Sequence, residues 1–426
     1  MTRNQPAEHA AVTLPRSVRD AVLDVMRRFG TTTIFGNPGS TEISFLVGFP
    51  DDMEFRLALH EGSVVGMATG WAIAQGRPTF VNLHTTAGLA NAASALATAR
   101  ANRAPLVVVV GQQDRRHLAH EPFLAGHLDG LVGEYPVWSN TPLRSQDVPA
   151  AVARAHHEAI TGAGPAIVLV PMDDWDQPAA PERGAAPLAV HRAAPAVTTV
   201  IDEVAELVDA ARNPVIVAGA GAGNDSEPAW TALVDLAERL GTPVWQEPFG
   251  ARAGFPQDHP AFAGHLPPGR AGVRDVLSRH DALLVVGAPV LRQYPWEPGD
   301  LLPDGIRVVQ ITQYPEEAHS SVADLALIAD PTQVCRALTA KVTPLSVRAV
   351  GRSAHEPAPA PGPGEPLMPA HVFDLLAQHL PADAILVEES PSSRPELRRR
   401  VPARASLGFV SAAQAVWGSA CPRRSD

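Results

Sequence analysis

The chain has 426 residues, of which 45% are hydrophobic and 19% are charged, and its formal net charge at pH 7 is -11. This composition is ordinary for a globular protein, and the length suits two or three domains. The acidic balance argues against nucleic acid as a partner, because phosphate binding needs a basic face. The two cysteines, Cys335 and Cys421, cannot form a disulfide framework, which favours a reduced, cytoplasmic setting.

The sequence predicts no membrane segment. Its most apolar runs, such as Pro105–Gly111 and Ala282–Val290, are bounded by proline, glycine or charge. They are too short to cross a bilayer, which takes about 20 helical residues. The N-terminal residues MTRNQPAEHAAVTLPRSV lack the apolar core of a signal peptide. We therefore interpret the apolar runs as buried strands and expect no membrane contact.

Up to residue 170, the sequence alternates helical patterns with short apolar runs. Such an alternation indicates βαβ units and a parallel sheet. The predicted helices are Val18–Gly30, Glu61–Gln75, Asn91–Arg103 and Ala150–Ile160, and the predicted strands are Thr33–Phe35, Thr79–Leu83, Leu106–Val110 and Ala166–Val170.

After a stretch rich in proline and alanine, Gln177–Val197, the same alternation starts again. A second Pro-rich stretch, Ser353–Pro369, precedes helix Ala370–His379 and strand Ala384–Val387, which begin a third unit. The predicted elements of the second unit are the helices Ile201–Ala211, Ala229–Leu240 and Ala271–Arg279 and the strands Pro214–Ala218, Pro243–Trp245, Ala282–Val286 and Arg307–Ile311.

The predicted fold class is α/β, with tandem doubly wound parallel-sheet domains and only the start of a third. Each of the first two domains has about 150 residues, which is a usual domain size. The expected boundaries are an N-terminal domain at 1–178, a linker at 179–198, a central domain at 199–345, a Pro-rich linker at 346–369 and a truncated third domain at 370–426.

The turn Gly219–Gly223 (GAGAG) follows a predicted strand and has to be considered as a dinucleotide-binding loop. Its spacing is not GxGxxG, and no acidic ribose-binding residue is obvious about 20 residues later. We therefore favour a tight strand–helix turn over a nucleotide site.

A second glycine-containing turn, Gly36–Glu42 (GNPGSTE), directly follows a predicted strand. Its glycines and proline permit close approach of the backbone to a ligand, and Ser40 and Thr41 supply hydroxyls. The alternative is a plain helix N-terminus that Ser40 or Thr41 caps.

Glu61 opens the apolar, small-residue segment GSVVGMATGWAIA. A carboxylate that is partly desolvated in such a segment can hold or share a proton near neutral pH. Alternatively, Glu61 is an acidic residue in a first helical turn, where the helix dipole favours negative charge.

His84 ends a predicted strand in FVNLHTTAGLANA. The ends of parallel strands are where α/β sheets place their ligand sites, and an imidazole suits proton transfer. A histidine that merely bonds to neighbouring backbone is the alternative.

In order and spacing, the runs IFGNPGSTEISFL, LALHEGSVVGMATGWA and FVNLHTTAGLANA resemble the pyrimidine-binding domain of the benzoylformate decarboxylases. These are thiamine-diphosphate-dependent enzymes of the 2-oxo-acid decarboxylase and acetolactate synthase superfamily. PMDDWDQPA (Pro171–Ala179) is similar to the end of that domain, LVVGAPVLRQYPWEPG (Leu284–Gly299) to a strand and loop of the central domain, and ILVEESPSS (Ile385–Ser393) to the entrance of the diphosphate-binding domain. The resemblance runs from Val18 to about Ser411.

The resemblance implies thiamine diphosphate and Mg2+ as cofactors and gives a role to each matching residue. Glu61 matches the glutamate that hydrogen-bonds N1′ of the aminopyrimidine. Ser40 matches the serine that holds the substrate carboxylate, and His84 matches a histidine that transfers protons with the bound 2-oxo acid. The other matching residues are Asn37, Pro38, Gly39 and Ser392, which line the cofactor, and Thr85, which lies beside the histidine in the substrate pocket.

The implied reaction is the non-oxidative decarboxylation of an (aryl) 2-oxo acid, such as benzoylformate, to an aldehyde and CO2. Sites of this family form between the pyrimidine domain of one subunit and the diphosphate domain of another. A homodimer or homotetramer is therefore implied, with a small-molecule 2-oxo acid as the other partner.

Tyr294 stands where the family has its second active-site histidine. A tyrosine hydroxyl can donate a proton or a hydrogen bond, but it is a much weaker acid than an imidazolium. A carboligase of the acetolactate synthase type, or a decarboxylase of a different 2-oxo acid, therefore stays open as an alternative.

A further departure concerns the third domain. The superfamily holds its metal with a GDG motif, and no GDG occurs in this sequence. Where the family continues with a run of the type GGLGFALPAA, this chain reads AVWGSACPRRSD from Ala415. With GC-rich codons, a two-base shift of frame turns this peptide into GVGFGLPAAVG, which favours truncation by a frameshift. A catalytically inactive remnant or a subunit is thus the alternative to an active enzyme, and we expect the tail Ala412–Asp426 to be disordered.

Overall fold

The computed structural model describes residues 16–180, 187, 190, 198–223, 227–344 and 356–412. The chain divides into two compact units, Met1–Ala72 with Arg77–Val190 and Ile73–Gly76 with His191–Asp426. Each unit contains a six-stranded parallel sheet, so the predicted α/β class is confirmed. Most of the first predicted linker and the predicted disordered tail from residue 413 lie outside the described residues.

The sheet of the first unit has the strand order β2-β1-β3-β4-β6-β5. Every neighbouring pair in it is parallel. Its strands are β1 (Thr33–Gly36), β2 (Glu54–Leu57), β3 (Thr79–His84), β4 (Leu106–Gln112), β5 (Trp138–Asn140) and β6 (Pro165–Pro171), and its α-helices are α1 (Val18–Arg28), α2 (Ile43–Leu46), α3 (Glu61–Gln75), α4 (Thr85–Ala101) and α5 (Val148–Gly162).

Helices cover both faces of this sheet because the side chains of successive strand residues point to opposite faces. Val107 and Val109 of β4 are buried in one cluster with residues of α1 and α5. On β1, Phe35 packs against Trp71 of α3, with ring centroids 5.9 Å apart. Covered faces explain why β4 and β6 read as continuous apolar runs rather than as alternating ones.

The sequence-based elements of the first unit differ from the structure at several places. Helix α4 begins at Thr85, directly after β3, whereas the sequence predicted a start at Asn91. The edge strands β2 and β5 were not predicted. Their residues are exposed or only half-buried, so they carry no apolar run for a pattern to reveal.

The motif Pro171–Ala179 closes the first unit through one buried carboxylate. Asp174 is fully buried, and its two oxygens accept hydrogen bonds from the Arg115 guanidinium at 2.8 and 2.7 Å. The next residue, Trp175, is 1% exposed and packs on Phe45 with ring centroids 4.6 Å apart. The motif therefore has a structural role, through packing and charge pairing.

The sheet of the second unit has the order β12-β11-β10-β7-β8-β9 and is also parallel throughout. Its central strands β7 and β10 are buried along their whole length. Its strands are β7 (Pro214–Ala218), β8 (Val244–Gln246), β9 (Phe262–His265), β10 (Ala282–Val286), β11 (Arg307–Thr312) and β12 (Leu325–Ile328), and its α-helices are α6 (Thr198–Ala210), α7 (Glu227–Leu240), α8 (Arg270–Leu277), α9 (Pro315–His319) and α10 (Pro331–Lys341).

The turn Gly219–Gly223 is filled by neighbouring backbone. Gly287 has φ +63°, and a Cβ there would lie 2.0 Å from the Ala222 nitrogen. A Cβ on Gly254 would lie 2.1 Å from the Gly219 oxygen, and the Gly221 N–H already donates to the Gly287 carbonyl at 2.8 Å. The glycines therefore serve close chain packing, which supports the tight-turn interpretation over a dinucleotide loop.

The start of the third predicted domain packs within the second unit. It contains α11 (Pro369–His379), β13 (Leu386–Glu388), α12 (Arg394–Arg400) and β14 (Phe409–Ser411), and β13 and β14 form a two-stranded parallel sheet. Phe409 is buried in one cluster with Trp230 of α7. The Ser411 N–H donates to the Ala251 carbonyl at 2.8 Å. Among the described residues, no helix combines the length and the apolar character that a membrane crossing requires.

Because His156 of α5 is buried, we expect the folded protein to lose stability in acid. The residue is 8% exposed, and its ring stacks on Phe29 with centroids 4.0 Å apart. Burial, with a smaller contribution from His157, lowers the pKa of His156 from 6.5 to about 4. Because the unfolded chain binds this proton more readily, the melting temperature should fall as the pH drops from 6.5 towards 4.

His156→Phe keeps an aromatic ring on Phe29 and should flatten this pH dependence, as measured by thermal melts between pH 4 and 7. His127→Phe is the matched control, since the side chain of His127 is 95% exposed. An unchanged pH dependence in His156→Phe would show that other groups cause the acid sensitivity.

Candidate active site

Parallel pairing of β1 with β3 brings two of the predicted site segments together. Gly36 at the end of β1 lies opposite Asn82 of β3, and β3 then ends at His84. The turn after β1 leads into a short 3-10 helix, Ser40–Glu42. Both segments therefore lie at the carboxyl edge of the sheet, where α/β folds place their ligand sites.

Glu61 is the first residue of α3 and is 7% exposed. Its Oε1 accepts a hydrogen bond from the Asn37 amide at 3.0 Å, and its Oε2 accepts one from the Asn91 amide at 3.3 Å. The helix N-terminus also favours a negative charge at this position. The two interpretations of Glu61, a favourable charge at a helix N-terminus and a carboxylate that binds a ligand, are therefore compatible. The helix and the two amides hold the same buried carboxylate in one orientation.

His84 is held at Nδ1 by the turn that follows β1. This nitrogen lies 2.9 Å from the Thr41 hydroxyl and 3.0 Å from Oε2 of Glu42. Glu42 is 1% exposed. Burial raises the pKa of Glu42, although hydrogen bonds from Thr41 and the Gly39 N–H and the neighbouring His84 oppose that shift.

Two glycines leave room for this arrangement. A Cβ on Gly39 would lie 2.5 Å from the imidazole ring of His84. A Cβ on Gly111, which pairs with His84 across β3 and β4, would lie 1.9 Å from Oε1 of Glu42 and 2.4 Å from the Thr41 hydroxyl. The imidazole and the buried carboxylate therefore each occupy the space that a glycine leaves free.

Thr85 connects β3 to α4 with a strained backbone. It is 2% exposed and has φ 34°. A positive φ is unusual for a β-branched residue and costs roughly 1–3 kcal/mol. The strain makes the chain turn immediately after His84, so α4 begins beside the candidate site.

The remaining predicted site residues are more exposed. Pro38 and Ser40 are exposed beside the half-buried Asn37 and Gly39 in the turn after β1. Tyr294 is 85% exposed in the second unit, and Ser392 is exposed between β13 and α12. The residues brought together within the first unit are Asn37, Pro38, Gly39, Ser40, Glu61, His84 and Thr85.

The sequence did not reveal Glu42, Gly111 or Asn91 as site residues. The signal for Glu42 was its place three residues after Gly39, the spacing at which a side chain caps the first turn of a helix. Its Oε2 does accept a hydrogen bond from the Gly39 N–H at 2.7 Å. The contacts of Gly111 and Asn91 depend on strand register and on helix orientation, which no local pattern specifies.

The first unit fits the pyrimidine end of thiamine diphosphate. A buried carboxylate whose oxygens are oriented by two amides presents its remaining lone pairs to a ring N–H, as an aminopyrimidine requires. The described residues offer no comparable set of ligands for a metal ion. Among them, no group of three or more His, Cys, Asp or Glu side chains could hold one.

Residues 16–130 match the family described as thiamine pyrophosphate enzyme, N-terminal TPP binding domain, and residues 201–338 match the central domain of the same family. Benzoylformate decarboxylase of Pseudomonas aeruginosa PAO1 is 40% identical over 96% of this chain and 79% of its own length. The chain belongs to the thiamine pyrophosphate enzyme family. It is a homologue of benzoylformate decarboxylase, as the sequence motifs predicted.

Two solved structures of the family are similar to most of the chain. The thiamine diphosphate-dependent 4-hydroxybenzoylformate decarboxylase of Rhodococcus jostii RHA1 has a TM-score of 0.88 at 37% identity and covers 95% of this chain and 76% of its own. Benzoylformate decarboxylase of Polynucleobacter necessarius has a TM-score of 0.88 at 33% identity, with coverage of 94% and 75%. The family assignment therefore holds for sequence and for fold.

Gly111→Ala tests the space that the site requires. The added Cβ has to displace Glu42 and Thr41, and such overpacking costs about 1–3 kcal/mol. We expect a lower melting temperature in thermal unfolding of the variant. Gly362→Ala is the control, because the atoms nearest to its added Cβ belong to the Glu365 side chain, at 3.3 Å and beyond. Equal melting temperatures for both variants would contradict the close packing at Gly111.

Proposed function

We propose that the protein is a thiamine-diphosphate-dependent carboxy-lyase that converts an aryl 2-oxo acid, such as benzoylformate, to an aldehyde and CO2. The observation that carries the proposal is that the turn after β1 contacts both the buried Glu61, through Asn37, and His84, through Glu42. When bound, thiamine diphosphate supplies the nucleophilic carbon and the electron sink for decarboxylation.

Glu61 is the group that binds the cofactor's aminopyrimidine and holds a proton at its ring nitrogen. The amides of Asn37 and Asn91 keep both carboxylate oxygens in place, so the charge does not have to be reoriented when the ring arrives. Pro38 and Gly39 line the cofactor in the same turn, and we assign Ser392 to its diphosphate end.

Ser40 and His84 act on the substrate in this proposal. The exposed hydroxyl of Ser40 donates a hydrogen bond to the substrate carboxylate. His84 uses Nε2 to exchange a proton with the substrate oxygen, since its Nδ1 is occupied by Thr41 and Glu42. Thr85 follows His84 at the same edge of the sheet, and we assign it to the substrate pocket. The assignment of Tyr294 to substrate rests on the resemblance of its loop to the family.

The proposal also covers the oligomeric state, the metal ion, the cellular location and the domains. Active sites would form in a homodimer or homotetramer, with Mg2+ at the diphosphate, in the cytoplasm. We retain the proposed pyrimidine-binding domain at 1–178 and central domain at 199–345, with the diphosphate-binding domain beginning at 370.

The cofactor and the substrate class can be tested separately on the purified chain. Titration calorimetry with thiamine diphosphate and Mg2+ should show saturable binding. Incubation with benzoylformate should then release CO2 and benzaldehyde faster than incubation with pyruvate or branched 2-oxo acids. A 2-hydroxyketone as the main product would instead identify a carboligase. Absence of binding would favour a chain that cannot hold the cofactor alone.

Glu61→Gln should lower both turnover and the exchange of the cofactor's C2 proton with D2O, measured by NMR, because it removes the charged acceptor at the pyrimidine. The loss should be on the order of 100-fold or more. Glu54→Gln on the same unit is the control, since the Glu54 side chain is 49% exposed and forms a surface ion pair with Arg56. An exchange rate equal to that of the control would show that another carboxylate performs this task.

A further inference from the structure

Glu42 is a buried carboxylate that the proposed reaction does not use directly. It is 1% exposed, and its contacts within the site lie in the turn after β1 and at His84. A buried carboxylate is costly unless donors surround it. We infer that Glu42 is a positioning residue that fixes His84 as the tautomer with its proton on Nδ1, which leaves Nε2 for exchange with the substrate.

The donors around Glu42 determine the direction of each hydrogen bond. The Thr41 hydroxyl donates to Oε1 of Glu42 at 2.5 Å, so its oxygen meets His84 as an acceptor. Oε2 already accepts from the Gly39 N–H at 2.7 Å, and it lies 3.0 Å from Nδ1. Both atoms that face Nδ1 are therefore acceptors, and Nδ1 has to carry the proton. Neutral His84 then has its lone pair on Nε2.

The packing keeps this pair in one geometry. Gly39 contacts the imidazole ring, and Gly111 leaves the space that Oε1 of Glu42 occupies. The strained Thr85 starts α4 directly after the histidine, so the backbone of His84 is constrained on both sides. A ring that is held this way cannot flip its nitrogens without breaking hydrogen bonds to a buried charge.

Glu42→Gln is the informative substitution because it preserves size and changes only the donor pattern. One carboxylate oxygen becomes an NH2 group. That group takes either the place of Oε1, where it faces the Thr41 oxygen, or the place of Oε2, where the Gly39 N–H loses its acceptor and Nδ1 meets a donor. The second arrangement inverts the tautomer of His84, so that its proton moves to Nε2 and the basic nitrogen turns away from the substrate.

The first test measures the tautomer on the full chain without cofactor or substrate. Histidine is labelled with 15N, long-range 1H–15N NMR spectra are recorded, and the His84 signals are assigned by their loss in His84→Asn. We expect the proton on Nδ1 in the wild type and on Nε2 in a substantial fraction of Glu42→Gln. A wild-type proton on Nε2 overturns the inference, even if the variant does not fold.

Two further variants separate positioning from general stability. Thr41→Val removes one acceptor at Nδ1 but keeps the carboxylate, so the wild-type tautomer should persist. Glu247→Gln is matched for burial, since Glu247 is 1% exposed in the second unit and accepts from the Phe249 N–H at 3.0 Å. It should leave the His84 signals unchanged, and a tautomer change in this control would contradict a local cause.

The catalytic consequence rests on the proposed function and is measured separately. Glu42→Gln should lower kcat on the order of 100-fold with little change in KM, because general acid–base transfer contributes about that much or more. Combining it with His84→Asn should cause no further loss. A wild-type kcat in a variant with inverted tautomer would overturn the positioning role. Failure of the wild type to decarboxylate would refute the proposed function, while the NMR result on Glu42 would still stand.

Discussion

The parallel register of β1, β3 and β4 is the constraint on which the candidate site depends. Gly36 lies opposite Asn82, and His84 lies opposite Gly111, so three strands reach the same edge in consecutive positions. The turn after β1 contributes the buried carboxylate of Glu42, and β3 contributes the imidazole of His84. The glycine of β4, Gly111, leaves the space that they need. A slip of one residue would turn His84 to the other face of the sheet, because strand side chains alternate between the faces.

Two buried glutamates on this edge are stabilised in different ways. Glu61 has a helix N-terminus and two side-chain amides around it, and these groups carry no charge that could neutralise it. Glu42 lies against a hydroxyl, a backbone N–H and an imidazole, and burial raises its pKa. The first arrangement suits a carboxylate that accepts a hydrogen bond from a ligand. The second suits one that controls a neighbouring titratable group.

The sequence was sufficient for the parts of the fold that repeat a local pattern. Buried parallel strands such as β4 and β10 appear as unbroken apolar runs. Glu61 was visible because it opens the small-residue segment that forms α3, and His84 because it ends the strand-like run of β3. Edge strands such as β2 were missed because half-exposed residues leave no periodicity. Glu42 was missed for a different reason, since its role comes from its contact with His84, which lies 42 residues later on the neighbouring strand β3 and is brought close only by the fold.

The start of α4 shows how the site and the missed prediction are connected. The first residues of α4, Thr85–Gly88, include two β-branched residues and a glycine, which favour a helix less than alanine does, and the sequence predicted a helix only from the Ala-rich stretch at Asn91. In the structure the helix begins at Thr85, a buried threonine with φ 34°, despite a cost of roughly 1–3 kcal/mol. An unstrained loop at this position would let the chain leave the sheet more gradually and would free His84 from Gly39 and Glu42. It would also withdraw Asn91 from Glu61, because that amide reaches the carboxylate only from the first turns of α4. The early, strained helix start thus places both His84, beside Glu42, and Asn91, beside Glu61. Here tertiary packing outweighs local helix propensity.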